Sequence, residues 1–212
     1  MKLTRVLLAD DHMLLLDAYR KLLEHNFEVV GGVTDGRALL EVAPLLKPDV
    51  VLLDIGMPLL NGLDAGRQLK ARIPGIKLIY LTMNEDPDLA IEAMRAGASG
   101  YLLKICAAAE LFLAIQSAVR GKSHVTPQIA RGMEEAFVRD PEAKRTRIDV
   151  TPRQREVLQL LAEGKSMKQA ADVLHVSSRT IAFHKYQMMQ DLGLKSTASL
   201  IQYAIKSHVV AA

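Results

Sequence analysis

The sequence predicts an α/β domain, a doubly wound five-stranded parallel sheet with helices on both faces, followed by a small all-α domain. Three observations carry this. Strand and helix patterns alternate five times between residues 5 and 121, the order that winds a parallel sheet. The run Val50-Val51-Leu52-Leu53 is continuously apolar, as a strand covered on both faces must be. Beyond residue 149 only helical periodicity remains.

Residues 5–9 (RVLLA) read as the first strand and run into Asp10 and Asp11. Leu15, Ala18, Tyr19, Leu22 and Leu23 recur at helical spacing and give a helix over 13–24. Residues 28–33 form the second strand, and 36–46 a helix stopped near Pro48. The third strand, 49–53, ends in Asp54. Pro58 and Gly62 shape the next loop, and a helix runs from about Asn61 to Arg72. Pro74-Gly75 is a turn, and 76–81 are the fourth strand, ending at Thr82. A helix over about 86–96 is closed by Gly97. The short fifth strand, 100–103, ends at Lys104, and a fifth helix covers about 107–121.

Composition removes several classes of function. Half of the 212 residues are hydrophobic and about a quarter charged, which is ordinary globular usage. No apolar run approaches the ~18–20 residues of a membrane helix, and the amino terminus shows no long apolar signal core. A cytoplasmic protein with no membrane role is expected. The single cysteine, Cys106, excludes an internal disulfide and reads as a small, partly buried residue rather than a redox centre. The six histidines show no zinc-like spacing with one another or with Cys106. Residues 1–125 carry 14 Lys/Arg against 15 Asp/Glu, a net of −1. Residues 126–212 carry 13 against 9, a net of +4 that permits nucleic acid binding without requiring it.

The residues with chemical promise all fall at carboxyl ends of strands: Asp10 and Asp11, Asp54, Thr82 and Lys104. In a parallel sheet these ends share one edge, where open α/β sheets bind ligands. Singly, each has a plainer reading: Asp10-Asp11 as a helix cap, Asp54 as a turn residue, Lys104 as a solvated lysine. Their convergence favours chemistry. Two carboxylates ~4 Å apart repel by ~1 kcal/mol in water and ~4 kcal/mol at an effective dielectric near 20, so the cluster calls for a cation. Mg²⁺, bound by few carboxylates and a phosphate, suits it. Asp54 then reads as a nucleophile that accepts a phosphoryl group. Lys104 supplies a point charge and Thr82 a hydrogen bond to phosphoryl oxygens.

Asp10-Asp11, the stretch Asp54-Ile-Gly-Met-Pro58 with Gly62, Thr82, and Gly100-Tyr-Leu-Leu-Lys104 resemble the receiver domain of bacterial two-component response regulators. The resemblance spans residues 1 to about 122. It implies strand order 2-1-3-4-5, Asp54 as phosphoacceptor and a sensor histidine kinase as donor. It also implies Mg²⁺ held by Asp11, Asp54 and the Gly56 carbonyl with Asp10 assisting, and Thr82 with Tyr101 as a switch pair. In that pair the hydroxyl turns toward the phosphate and the ring packs inward behind it. The segment 105–109 is more apolar than the family usually shows after its lysine. Haloacid-dehalogenase-like phosphatases use similar groups but need a second acid two residues after the nucleophile. That position is Gly56, so no enzyme is expected beyond self-catalysed phosphoryl transfer and dephosphorylation.

Residues 123–148 read as a linker with room for one short helix, about 127–138, and a charged run over 139–147. Thr151-Pro152 opens a helix that Gly164 ends, and a shorter helix spans about 167–174. His175-Val176-Ser177 is a tight turn before a helix over about 178–192, and a last helix covers about 197–209. Ile181, Met188 and Leu192 share one face as core, whereas Arg179, Phe183, Tyr186 and Gln190 recur on the other. This pattern reads as helix-turn-helix. The stretch from Thr151 to Ser196 resembles the LuxR-type helix-turn-helix, over about residues 149–210, and the two halves together resemble the NarL/FixJ class. The candidate DNA contacts are Arg179, Thr180, Phe183, His184, Lys185, Tyr186 and Gln187, with Phe183 open to two readings, a thymine-methyl contact or a core aromatic. Ala182 stands where the family commonly has a basic residue. The resemblance implies promoter DNA, a homodimer in the active form and RNA polymerase as partners. The competing reading is a phosphorylation-independent DNA-binding or scaffold protein whose receiver serves as a dimerisation surface.

Overall fold

The computed structural model describes residues 3–139 and 150–210. The charged run over 140–147 lies outside the described residues. The elements are β1 (Arg5–Ala9), α1 (Met13–Leu23), β2 (Glu28–Val33), α2 (Gly36–Leu46), β3 (Val50–Asp54), α3 (Gly62–Arg72), β4 (Lys77–Thr82), α4 (Pro87–Arg95), β5 (Gly100–Leu103) and α5 (Ala108–Val119). They continue with β6 (His124–Val125), α6 (Pro127–Arg139), α7 (Pro152–Ala162), α8 (Met167–Leu174), α9 (Ser178–Asp191) and α10 (Thr197–Lys206). β1 to α6 build one compact unit and α7 to α10 a second.

The first unit is a parallel sheet in the order β2-β1-β3-β4-β5-β6. The five expected strands are present in the expected order, and a sixth adds to them. β6 pairs with β5 through Gly100↔His124 and Tyr101↔Val125. Two residues carry no periodicity, which is why the sequence does not announce this strand.

Side chains alternate between the two faces of each strand. Val6, Leu8, Val50, Leu52, Ile79, Leu81 and Leu102 point to one face, where Leu16 and Leu23 of α1 and Leu111, Ala114, Ile115 and Ala118 of α5 cover them. The alternate residues meet α2 and α3. A Cβ added at Gly31 would meet both Leu46 of α2 and Leu7 of β1, and one at Gly66 of α3 would meet Tyr80 and Leu78 of β4.

The buried face of α1 is displaced from the expected one: Leu16 and Leu23 are buried, while Ala18 is exposed. Four consecutive apolar residues, Met13 to Leu16, leave the helical phase open in the sequence, and Met13 and Leu14 turn out to be exposed.

In the second unit, Val157, Leu158, Leu161, Ala170, Leu174, Ile181, Met188, Leu200 and Ala204 form one core. α7 and α8 each begin in a reciprocal capping box, Thr151 with Gln154 and Ser166 with Gln169, which satisfies orphan N–H groups at both starts. His175 closes α8 in the left-handed conformation (φ 53°), and the Ser177 hydroxyl oxygen accepts from the Thr180 N–H at 3.1 Å to start α9.

Candidate functional site

β3 lies between β1 and β4, so its last residue, Asp54, emerges between the ends of those two strands. The loop after it closes tightly. The Gly62 N–H donates to the Ile55 carbonyl at 2.9 Å, and a Cβ on Gly62 would stand 2.0 Å from the Asp54 carbonyl oxygen. Only glycine permits that approach.

Asp10 and Asp54 are buried, and Lys104 lies between them. Its Nζ is 2.8 Å from Asp10 Oδ2 and 3.2 Å from Asp54 Oδ2, with only 6% of the side chain exposed. Asp11 is more open. Ligand atoms of Asp10, Asp11, His12 and Asp54 lie within 4.8 Å of one another. His12 is the member that sequence spacing missed: its Nδ1 is 2.9 Å from Asp11 Oδ1 and 3.2 Å from Asp10 Oδ1. The two aspartates do not cap α1, whose N-cap is His12 with no side-chain cap bond.

Burial pushes the Asp54 carboxyl up from its ordinary value; the Lys104 ammonium pulls it down, and Asp10 pushes it up again. The Gly56 amide also hydrogen-bonds the Asp54 carboxylate and favours its charged form. Tyr19 of α1 feels the same cluster. Burial and then Asp10, with Cys106 and Asp54 adding, push its phenol up to about 12. No sequence signal places Tyr19 there, because only the packing of α1 brings it close. Burial and then Glu110 push the Cys106 thiol up, away from the thiolate that redox chemistry needs.

Thr82 is buried at the end of β4, and its hydroxyl oxygen accepts the Asn84 N–H at 3.0 Å. The Tyr101 ring points inward and is fully buried, and its hydroxyl donates to the Asn84 carbonyl at 3.3 Å. Burial raises the Tyr101 phenol, with Asp86 adding. Thr82 and Tyr101 therefore meet at one residue, Asn84, which the sequence did not single out.

On α9, Ile181 and Met188 are fully buried. Arg179 and Gln187 are exposed, as are Phe183 at 62% and Tyr186 at 60%. The solvent exposure of Phe183 removes the core-aromatic reading. His184, Lys185 and Ala182 are partly buried. The Phe183 and His184 rings meet edge to face with centroids 5.6 Å apart, and Lys185 Nζ lies 5.7 Å from the Tyr186 ring centre. The Thr180 hydroxyl is engaged by Ser177 Oγ at 2.9 Å, so it serves the start of the helix.

Residues 6–116 match the family described as response regulator receiver domain, and residues 149–204 match the bacterial regulatory proteins of the luxR family. The chain is 32% identical to the transcriptional regulatory protein MctR of Rhizobium johnstonii, across 97% of this chain and 95% of that one. It is 31% identical to the oxygen regulatory protein NreC of Staphylococcus aureus, across 97% and 99%. Among solved structures, it resembles RcsB of Salmonella enterica serovar Typhimurium bound to promoter P1flhDC in the presence of the phosphomimetic BeF3-. That likeness has a TM-score of 0.62 and 30% identity, over 98% of this chain and 99% of that one. A Salmonella typhimurium RcsB structure gives a TM-score of 0.66 at 28% identity, over 98% and 99%.

Proposed function

Because this chain belongs to the response regulators of the NarL/FixJ class, a receiver domain joined to a LuxR-type DNA-binding domain, we propose that phosphorylation of Asp54 by a sensor histidine kinase controls its binding to promoter DNA. The observation that carries this is Asp54 itself: a buried carboxylate at the end of β3, in contact with Lys104 and beside Asp10.

One Asp54 oxygen attacks the phosphorus of a phosphohistidine; the P–N bond breaks, and its electron pair leaves with the imidazole. Lys104 already touches the attacking carboxylate and stays beside the new phosphoryl oxygens as a fixed charge. Thr82 offers its hydroxyl proton to another of them. The donor set fits Mg²⁺, since Asp10, Asp11 and Asp54 present hard carboxylate oxygens from one small region. The Gly56 carbonyl completes the set that the family pattern implies. Bound there, Mg²⁺ would neutralise charge on the phosphoryl oxygens. The only enzymatic chemistry proposed is this self-phosphorylation and its hydrolytic reversal.

The output follows from α9. Arg179, Phe183, Tyr186 and Gln187 form an exposed face suited to the major groove, with His184 and Lys185 at its border. A homodimer binds promoter DNA and acts on RNA polymerase there. The similar protein RcsB is bound to promoter P1flhDC in one of its structures, which supports this reading. No helix among the described residues is long and apolar enough to cross a membrane, and the proposed site of action is the cytoplasm. Residues 1–122 serve as receiver and 149–212 as DNA-binding domain; of the 123–148 linker between them, β6 and α6 pack as part of the receiver unit.

Intact-mass measurement after incubation with acetyl phosphate and Mg²⁺ tests the receiver chemistry. The wild type is expected to gain one phosphoryl group and Asp54→Asn none, with labelling abolished by EDTA. No gain under conditions that label a control receiver would favour the phosphorylation-independent reading.

A further inference from the structure

We infer that Thr126 is a positioning residue that ties β5, and with it Tyr101 and Lys104, to helix α6, so that α6 is the element the state of the Asp54 pocket moves. This rests on the reading of Asp54 as phosphoacceptor.

Thr126 is buried and immediately precedes α6. Its N–H donates to the Tyr101 carbonyl at 3.0 Å. Its hydroxyl oxygen accepts the Leu103 N–H at 3.3 Å and donates its own proton to Glu110 Oε1 at 2.8 Å. His124 Nε2 lies 3.3 Å from the same carboxylate oxygen. Its side chain thus holds the backbone next to Lys104 and helix α5, and its backbone N–H holds Tyr101, all where α6 begins.

α6 is held at a second place. Gln128 Nε2 donates to Glu85 Oε2 at 2.7 Å. Gly132 lies so close to α4 that a Cβ there would stand 2.6 Å from Pro87 Cγ. Glu85 and Pro87 flank Asp86, whose N–H donates to Asn84 Oδ1 at 2.8 Å and whose carboxylate caps α4 through the Asp88 N–H.

Both attachments of α6 lead back to Asn84. One runs through Tyr101, whose hydroxyl donates to the Asn84 carbonyl. The other runs through Asp86. Asn84 in turn holds the Thr82 hydroxyl oxygen with its N–H. When Thr82 turns its hydroxyl to a phosphoryl oxygen, that bond to Asn84 is what it releases, and the two anchors of α6 loosen together. Coupling is reciprocal: a docked α6 opposes occupation of the pocket, and freeing it favours occupation.

Hydrogen exchange of the full chain, with and without Mg²⁺ and BeF3-, tests this. The peptide containing Asp54 should gain protection, and peptides covering 127–139 should exchange about threefold faster or more, within the usual span of coupling factors. Thr126→Ser, which keeps the hydroxyl, should behave as the wild type. Thr126→Val should exchange fast over 127–139 without BeF3-, show no further change on adding it, and bind it several-fold more tightly. Gly132→Ala, which presses on Pro87, should also loosen α6 at rest and carries the test if Thr126→Val does not fold. Two results would overturn the inference: an unchanged α6 in the wild type while the Asp54 peptide is protected, or a wild-type response in Thr126→Val. Absence of protection at Asp54 itself would instead remove the phosphoacceptor reading, and the inference with it.

Discussion

At the scale of single residues, the pocket is a balance of charge in which Asp10, Asp54 and the Lys104 side chain are buried. Lys104 offsets part of the repulsion among Asp10, Asp11 and Asp54, yet burial still raises Asp54 above its ordinary 3.8. An acid raised in the fold ionises later there than in the unfolded chain. The unfolded state therefore binds fewer protons between the two pKa values, and stability falls as pH rises through that window. Removing the charge should recover the loss. Without divalent cation at pH 7, Asp54→Asn is expected to raise Tm. The gain should fade below about pH 4, where both states hold the proton; calorimetry of both proteins at the two pH values checks this. A second residue-scale test concerns Ala182. Ala182→Lys adds a cation to α9 and should steepen log K against log salt for duplex DNA by about 0.9. The aspartates, Thr82 and Lys104 were legible in the sequence because each ends an apolar strand. His12, Tyr19 and Asn84 were not, since their place depends on how α1 packs and how the loop after β4 folds.

At the scale of elements, alternation of strand and helix was readable nearly to the residue, because burial on both faces leaves continuous apolar runs. Two features escaped. The phase of α1 was ambiguous across Met13 to Leu16, and β6 is too short to show a period. Helix α3 shows how closely elements meet. A Cβ on Gly66 would stand 2.1 Å from Tyr80 Oη, and that buried hydroxyl has no hydrogen-bond partner among the described residues. Gly66→Ala should therefore destabilise by about 1–3 kcal/mol through overpacking. Tyr80→Phe, which removes an unsatisfied group, should be neutral or stabilising. The double variant should recover at least about 0.5 kcal/mol relative to additivity, as urea midpoints would show.

At the scale of the whole molecule, the basic balance of residues 126–212 and the exposed face of α9 give the chain its proposed DNA partner. A symmetric dimer places two such faces on half-sites about one helical turn, 10–10.5 base pairs, apart. Inserting five base pairs between the half-sites of a selected operator should abolish specific binding, and inserting ten should restore part of it, as gel shifts would reveal. The sixth strand bears on what the molecule does in a crowd of its own copies. A sheet that stopped at β5 would offer the unpaired backbone groups of a wholly buried strand, Gly100–Leu103, to any extended chain nearby. β6 covers that border with two residues, and Pro127 just beyond lacks the N–H by which pairing could continue. The first few residues of the stretch read as a linker thus guard the sheet against edge-to-edge aggregation.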